Sequence, residues 1–372
     1  MRFVLVLVCF ISLSIAELKC LKFNLSRGTY KVLTTNKAKC PRGSKKLFDT
    51  ASLIGIDGPQ GEAGDDGEDG DVAVWGNGSA GNLVVSSSGL FETTNPQYQN
   101  VTINAGVELG VLSGTTIRAT GNCTINGEID VSSGADGGSG ENFTGSTLVP
   151  SRRGANFGLS HAPAGVGGFG TSVTELFGGY GGKKLEYNRA GTILRLTAGA
   201  FGGGGESGNG TVSGGSGGGG LALYCKGAII IAGTITADGG NGFGGGGGGA
   251  GGLVVLASKT SITNTGVVRA AGGNGGNSNL AYGPGGGGGG GIIHFLAPSI
   301  IVGGTNVDGG NPGSITGNVS NSPRQAGSGG GAFGGDGGNG GNVNTDHTAD
   351  DADEGTDGHV FQTIVDPTSL IL

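Results

Sequence analysis

Leu221-Ala-Leu-Tyr-Cys-Lys-Gly-Ala-Ile-Ile-Ile231 leads to Gly233-Thr-Ile-Thr-Ala-Asp-Gly-Gly240 and then to six glycines from Gly244 to Gly249, and the chain repeats this pattern. Leu253-Val-Val-Leu-Ala-Ser258 leads to Ile262-Thr-Asn-Thr-Gly-Val-Val-Arg-Ala-Ala-Gly-Gly273 and the seven glycines from Gly285 to Gly291. Ile292-Ile-His-Phe-Leu296 then opens a third copy that ends at Asp308-Gly-Gly310. A fixed order of apolar run, alternation around glycine and glycine block, at a period of roughly 30 to 40 residues, is the signature of a solenoid whose units bury their apolar faces only against neighbours. Function in such a stack is sought on its loops.

Upstream, Asn82-Leu-Val-Val-Ser86, Asn100-Val-Thr-Ile-Asn-Ala-Gly-Val-Glu-Leu109, Thr115-Thr-Ile-Arg-Ala119 and Cys123-Thr-Ile-Asn-Gly-Glu-Ile-Asp-Val131 alternate inward β-branched with outward polar residues. No stretch has helical period, so the choice lies between a β-sandwich and a parallel β-helix. Repetition decides it: Ile125-Asn-Gly-Glu-Ile129 returns as Ile231-Ala-Gly-Thr-Ile235 and Thr263-Asn-Thr-Gly-Val-Val268. The expected fold is all-β, a right-handed parallel β-helix over residues 72–345. Residues 132–220 form an insertion with one further strand at Thr192-Ile-Leu-Arg-Leu-Thr197.

Ninety glycines among 372 residues are about one in four, against a usual ~7%. Free polyglycine is disordered, because glycine loses the most backbone entropy on ordering. Recurrence of the blocks at one place in each repeat predicts instead that they pack side by side as polyproline II strands. The hydrophobic share of 35% suffices for a core, and aromatics at 6% make it aliphatic. A net charge of −7 with scattered Lys and Arg argues against nucleic acid as a partner.

Residues 1–16 read as an export signal: Met1-Arg2, the apolar Phe3 to Leu13, and Ser14-Ile-Ala16 as cleavage site. The apolar stretch is too short for a membrane span. Removal of Cys9 leaves Cys20, Cys40, Cys123 and Cys225, an even number suited to an oxidising compartment. Cys20 and Cys40 are the expected pair, tying a hairpin of Leu21–Leu25 with Thr29–Leu33 within a module over 17–54. Cys123 and Cys225 read equally as buried thiols or as a bond. From Gly55 to Gly70 every third residue is glycine, which over 55–71 predicts a collagen-like neck that makes a homotrimer. With Asp and Glu crowding its other positions and Pro59 its only proline, it also reads as an extended acidic linker.

The order Cys20, Gly28-Thr-Tyr-Lys-Val32, Cys40 and Lys46-Leu47 before Gly-X-Y triplets resembles the short N-terminal modules of bacterial exported and surface proteins. The glycine blocks at 202–205, 217–220, 244–249 and 285–291 are similar in pattern to those of glycine-rich β-helical exported proteins and of the tail-fibre adhesins of T-even-like phages. In the latter the blocks form a sandwich of polyproline II helices whose tip loops contact the host. The resemblance implies a secreted or cell-surface adhesin that recognises a glycan or protein through glycine-rich loops.

The residues expected to make that contact are aromatics set among glycines: Phe169, Phe177, Tyr180, Phe201, Phe243, Tyr282 and Phe333. Each reads either as a ring offered to a ligand or as a plug between glycine layers. A purely structural coat or matrix component is a further alternative, and β-helices also host polysaccharide lyases and hydrolases, which set carboxylates on adjacent coils. Asp136, Asp238 and Asp308 precede Gly-Gly in three copies, with Arg269 near, but Asp before Gly-Gly is ordinary turn chemistry. The acidic stretch within 346–372, from Asp346 to Asp357, lacks a calcium-loop pattern and reads as a solvated charge run before a terminal strand at Val360–Val365. His161, His294, His347 and His359 have no ligand spacing, and no metal or cofactor is expected. Asn-x-Ser/Thr sequons stand at Asn24, Asn77, Asn100, Asn122, Asn142, Asn209 and Asn318.

Overall fold

The computed structural model of the 372-residue chain describes residues 9–10, 18–24, 29–35, 68–91, 93, 95–131, 178–184, 214–278, 282–318 and 326–371. It comprises two units, Met1–Asp66 and Gly67–Leu372. In the first, β1 (Cys9–Phe10) and β3 (Thr29–Thr35) flank β2 (Leu18–Asn24), all antiparallel. The hairpin expected after Cys20 is therefore present. Cys40, the proposed partner of Cys20, and most of the collagen-like run lie outside the described residues.

The second unit starts with α1 (Glu68–Trp75). Gly70, the last glycine of the triplet series, is inside this helix, which takes up residues 68–71 of the stretch expected to be collagen-like. Six coils follow, each contributing one strand to each of three parallel sheets. The first coil is β4 (Leu83–Val85), β5 (Gly89–Phe91) and β6 (Gln97–Tyr98); the second is β7 (Val101–Ile103), β8 (Glu108–Val111) and β9 (Thr115–Ala119). The third is β10 (Cys123–Ile125), β11 (Glu128–Asp130) and β12 (Gly220–Cys225); the fourth is β13 (Ile229–Ile231), β14 (Thr234–Thr236) and β15 (Leu253–Ser258). The fifth is β16 (Ile262–Asn264), β17 (Val267–Arg269) and β18 (Ile292–Leu296); the sixth is β19 (Ile300–Ile301), β20 (Gly304–Asn306) and β21 (His359–Thr363). Register follows the repeat: Ile125 pairs with Ile231, and Ile129 with Ile235 and Leu109. The terminal strand expected at Val360–Val365 is present as β21, which ends the third sheet. Thr192–Thr197 lies outside the described residues.

The first two sheets alternate buried and exposed residues, as strands with one wet face do. In the third sheet β12, β15 and β18 are buried at every position. Its inward residues, among them Leu221, Leu223, Val254, Leu256 and Phe295, join the central core with Ile125 and Ile231. Its outward residues Ala222, Tyr224, Val255, Ala257 and Leu296 form a second core with Val74, Trp75, Ala250 and Phe333. Cover on both faces explains why these strands read as unbroken apolar runs. Arg118 fastens α1 there: its Nε donates to the Val74 carbonyl at 3.1 Å and its guanidinium lies 5.6 Å from the Tyr224 ring centre. Cys123 and Cys225 form a disulfide within the core, joining the two ends of the long excursion in the third coil, 102 residues apart.

Between the second and third sheets the later coils leave the stack as glycine runs, going out and returning. Residues 285–291 show how they pack. Their N–H groups donate in strict rotation to three neighbours: Gly285, Gly288 and Gly291 to Gly276, Gly273 and Ala270; Gly286 and Gly289 to Ser328 and Gly331; Gly287 and Gly290 to Asp353 and Thr356. Their carbonyls accept in the same rotation from three others: Gly285 and Gly288 from Gly313 and Gly310, Gly286 and Gly289 from Gly248 and Gly251, Gly287 and Gly290 from Gly338 and Gly335. A three-residue repeat is that of polyproline II, here hydrogen-bonded to six surrounding runs.

None of these seven glycines has a positive φ, so conformational freedom does not explain them. Space does. A Cβ at any position from 285 to 291 would fall on a backbone carbonyl oxygen of a neighbouring run, well inside the 3.0 Å that real Cβ atoms respect, and a carbonyl held in the lattice has no rotamer with which to yield. Gly288→Ala is accordingly expected to cost ~3 kcal/mol or more, the upper range of overpacking. Gly89→Ala, in a strand with open space at its Cβ, is expected to be neutral or to stabilise by up to ~1 kcal/mol. Urea titrations of both variants measure the contrast.

Candidate functional site

The antiparallel pairings fix where the runs turn. Gly240 pairs with Gly249, Gly276 with Gly285 and Asn342 with Asp350, so residues 243–245, 277–278, 282–283 and 343–349 gather at the end of the bundle far from the coils. A Cβ at Gly245 would meet the Gly283 carbonyl and Tyr282, and one at Gly283 would meet the Gly341 carbonyl and Val343, so these turns lie close together. Phe243 stands on the first turn and is 70% exposed. Tyr180 is 63% exposed on the run 178–184, which exchanges hydrogen bonds with Gly327 and Gly330 and with Gly337 and Gly340.

Two of the expected contact residues are packing residues instead. Tyr282 is 8% exposed, inside the gathered loops next to Gly245. Phe333 is fully buried in the turn between two antiparallel runs at the base of the bundle, where it fills the angle between glycine layers and the outer face of the third sheet. Phe169, Phe177 and Phe201 lie outside the described residues.

The aspartates before Gly-Gly do not converge. Asp238 is held by Arg269 at 2.7 Å and accepts from the Ala271 N–H at 2.7 Å, while Asp308 is a further coil away and Asp136 lies outside the described residues. Carboxylates on adjacent coils occur elsewhere. Glu108 and Glu128 are directly opposite in the parallel register of β8 and β11, with Asp130 two residues along. They edge an open depression lined also by Ser88, Val107, Asn126 and Thr234. The signal was the shared phase of Glu-Leu and Glu-Ile in successive repeats, visible only once the register is known.

The acidic stretch 346–357 is not merely solvated. Asp350 accepts from the Asn342 and Asn344 amides, Asp353 from the Asn339 amide and Asp357 from the Gly309 N–H. Asp350 and Asp353 stand three residues apart, as do Asn342 and Asn339, so the spacing is that of two neighbouring runs. The Asp346 carboxyl is held below its usual range, first by the Thr348 hydroxyl and then by the Thr348 N–H. Among the described residues no group of three or more His, Cys, Asp or Glu could hold a metal ion. No described helix is long and apolar enough to cross a membrane.

No family model matches the chain, and no curated protein or solved structure matches it.

His294 tests how dry the second core is. It is almost fully buried on β18, its Nε2 shares a 2.8 Å hydrogen bond with Thr363 Oγ1, and its ring meets Phe361 edge-on. Burial lowers its pKa from 6.5 to about 4. The unfolded chain therefore takes up this proton at a higher pH than the folded one, so stability is full above 6.5 and falls as pH drops through the interval down to about 4. The contribution at stake is ~3 kcal/mol. His294→Gln is expected to flatten that interval in a pH series of unfolding free energies; an equally steep profile would assign the dependence to other groups.

Proposed function

We propose that this protein is an exported, non-catalytic adhesin that binds a cell-surface glycan or protein through the far end and flank of its glycine bundle. The observation that carries the reading is Phe243, an aromatic ring 70% exposed on a turn anchored in the hydrogen-bonded lattice. A rigid backbone presenting a large apolar ring loses little entropy on binding, and aromatic anchors of this kind dominate interfaces. Tyr180 offers a second ring on the flank. Absence of side-chain bulk around both lets a broad surface approach.

The remaining parts of the proposal complete an exported protein: a removable signal over 1–16, a module tied by Cys20 and Cys40, and a Gly-X-Y neck that gathers three chains or serves as an acidic linker. The winding of the coils is taken as right-handed, as parallel crossovers nearly always are. Binding of the purified protein to whole cells and to arrayed glycans tests the reading. Phe243→Ala and Tyr180→Ala are each expected to weaken binding ~10-fold or more with no fall in melting temperature. Unchanged binding, or no saturable binding to any cell or glycan, would contradict it.

A second reading rests on Glu108 and Glu128, adjacent on the outer face of a β-helix. They would act as general acid and base on a polysaccharide. Release of reducing ends or unsaturated products, lost in Glu108→Gln and Glu128→Gln, would favour this enzyme over the adhesin.

A further inference from the structure

We infer that the sixth coil is an interface for a second copy of this chain, the two C-terminal ends of the stack meeting across a two-fold axis. In the inner coils the inward residues are fully buried, as at Ile125, Ile231, Ile235 and Leu256. In the sixth coil Ile300, Val302, Val307 and Val360 are only partly buried against the same core. Gln362, whose register partner is the buried Phe295, occupies an inward position and is exposed. Ile301 and Ile364 beside this end are 60% and 70% exposed.

Among the described residues, β19, β20 and β21 each end the order of their sheet, so one row of backbone groups on each faces away from the stack. Natural proteins protect such edges with charge, proline or a bulge. Here the segments from Ser299 to Val307 and from His359 to Val365 contain no Lys, Arg, Asp or Glu. An apolar end rimmed by strand edges is best matched by another set of strand edges.

The other end of the stack does not supply that match. Residues before β4 run along β6, with Ala80 N–H donating to the Gln97 carbonyl and Gln99 N–H to the Gly81 carbonyl, so the third sheet is already covered there. Head-to-tail addition would pair only two of three edges. Two C-terminal ends pair all three: an axis through Phe361 and through the corner between β19 and β20 sets β21 antiparallel to its copy and β19 against the copy's β20. The same axis sends the two glycine bundles to different corners, which keeps the exposed Asp351 and Glu354 of one copy away from those of the other. An isologous contact of this kind closes at two chains.

Sedimentation equilibrium of the full chain at micromolar concentration is expected to give twice the 36.0 kDa chain mass. Gln362→Arg, which brings like charges together near the axis, and Thr305→Lys, which charges the β19–β20 contact, are each expected to halve that mass at unchanged circular dichroism. A monomeric parent protein, a threefold mass, open-ended growth, or a dimer that survives both substitutions would overturn the inference.

Discussion

The structure depends on backbone packed against backbone. At residues 285–291 six neighbouring runs approach closely enough to exchange every third N–H and C=O, and the distance that permits this leaves no volume for a methyl group. In an ordinary core, side chains exclude water and the backbone satisfies itself within strands. In this bundle the backbone does both. Glycine's entropic cost is offset because nearly every peptide group inside the lattice finds a partner, which an isolated glycine loop cannot offer.

The β-helix and the bundle support each other through the third sheet. Its strands have one face on the aliphatic core and the other on α1, Phe333 and Ala250, the last two being residues of the glycine runs. Coil register fixes the heights at which runs leave and return, and so fixes which run lies beside which. The Cys123–Cys225 bond closes a loop of about a hundred residues between two adjacent strand positions, and cross-linking so long a loop contributes ~4–5 kcal/mol in the chain-entropy account. The largest excursion therefore has its two ends fixed in the core.

Much of this fold was legible in the sequence, and the reasons for the remainder are physical. The repeat around Ile125, Ile231 and Val268 gave the coils and their register, because inward β-branched residues recur in phase with the stack. The recurrence of glycine blocks pointed to ordered polyproline II packing. Which run borders which could not be read, since a run of identical residues carries no register of its own. α1 was missed because it is only eight residues long and its buried end is the pair Val74-Trp75, too short for helical periodicity to register. The aromatics had indistinguishable local contexts: Phe243 and Phe333 both sit among glycines, and only their turns, one at the far end and one at the base, separate exposure from burial. The acidic stretch looked solvated because its three-residue match to Asn339 and Asn342 spans two runs that are neighbours only in space.

The proposed adhesin function draws on the same constraint: a hydrogen-bonded bundle carries the exposed Phe243 ring on a turn without a pocket around it. Native-state amide hydrogen exchange, resolved by residue, tests the central claim most directly. If the lattice holds as described, the amides of residues 285–291 exchange as slowly as those of Val254, Val255 and Leu256 in the third sheet. Exchange of the glycine run at the rate of an open loop, with the sheet still protected, would contradict the account.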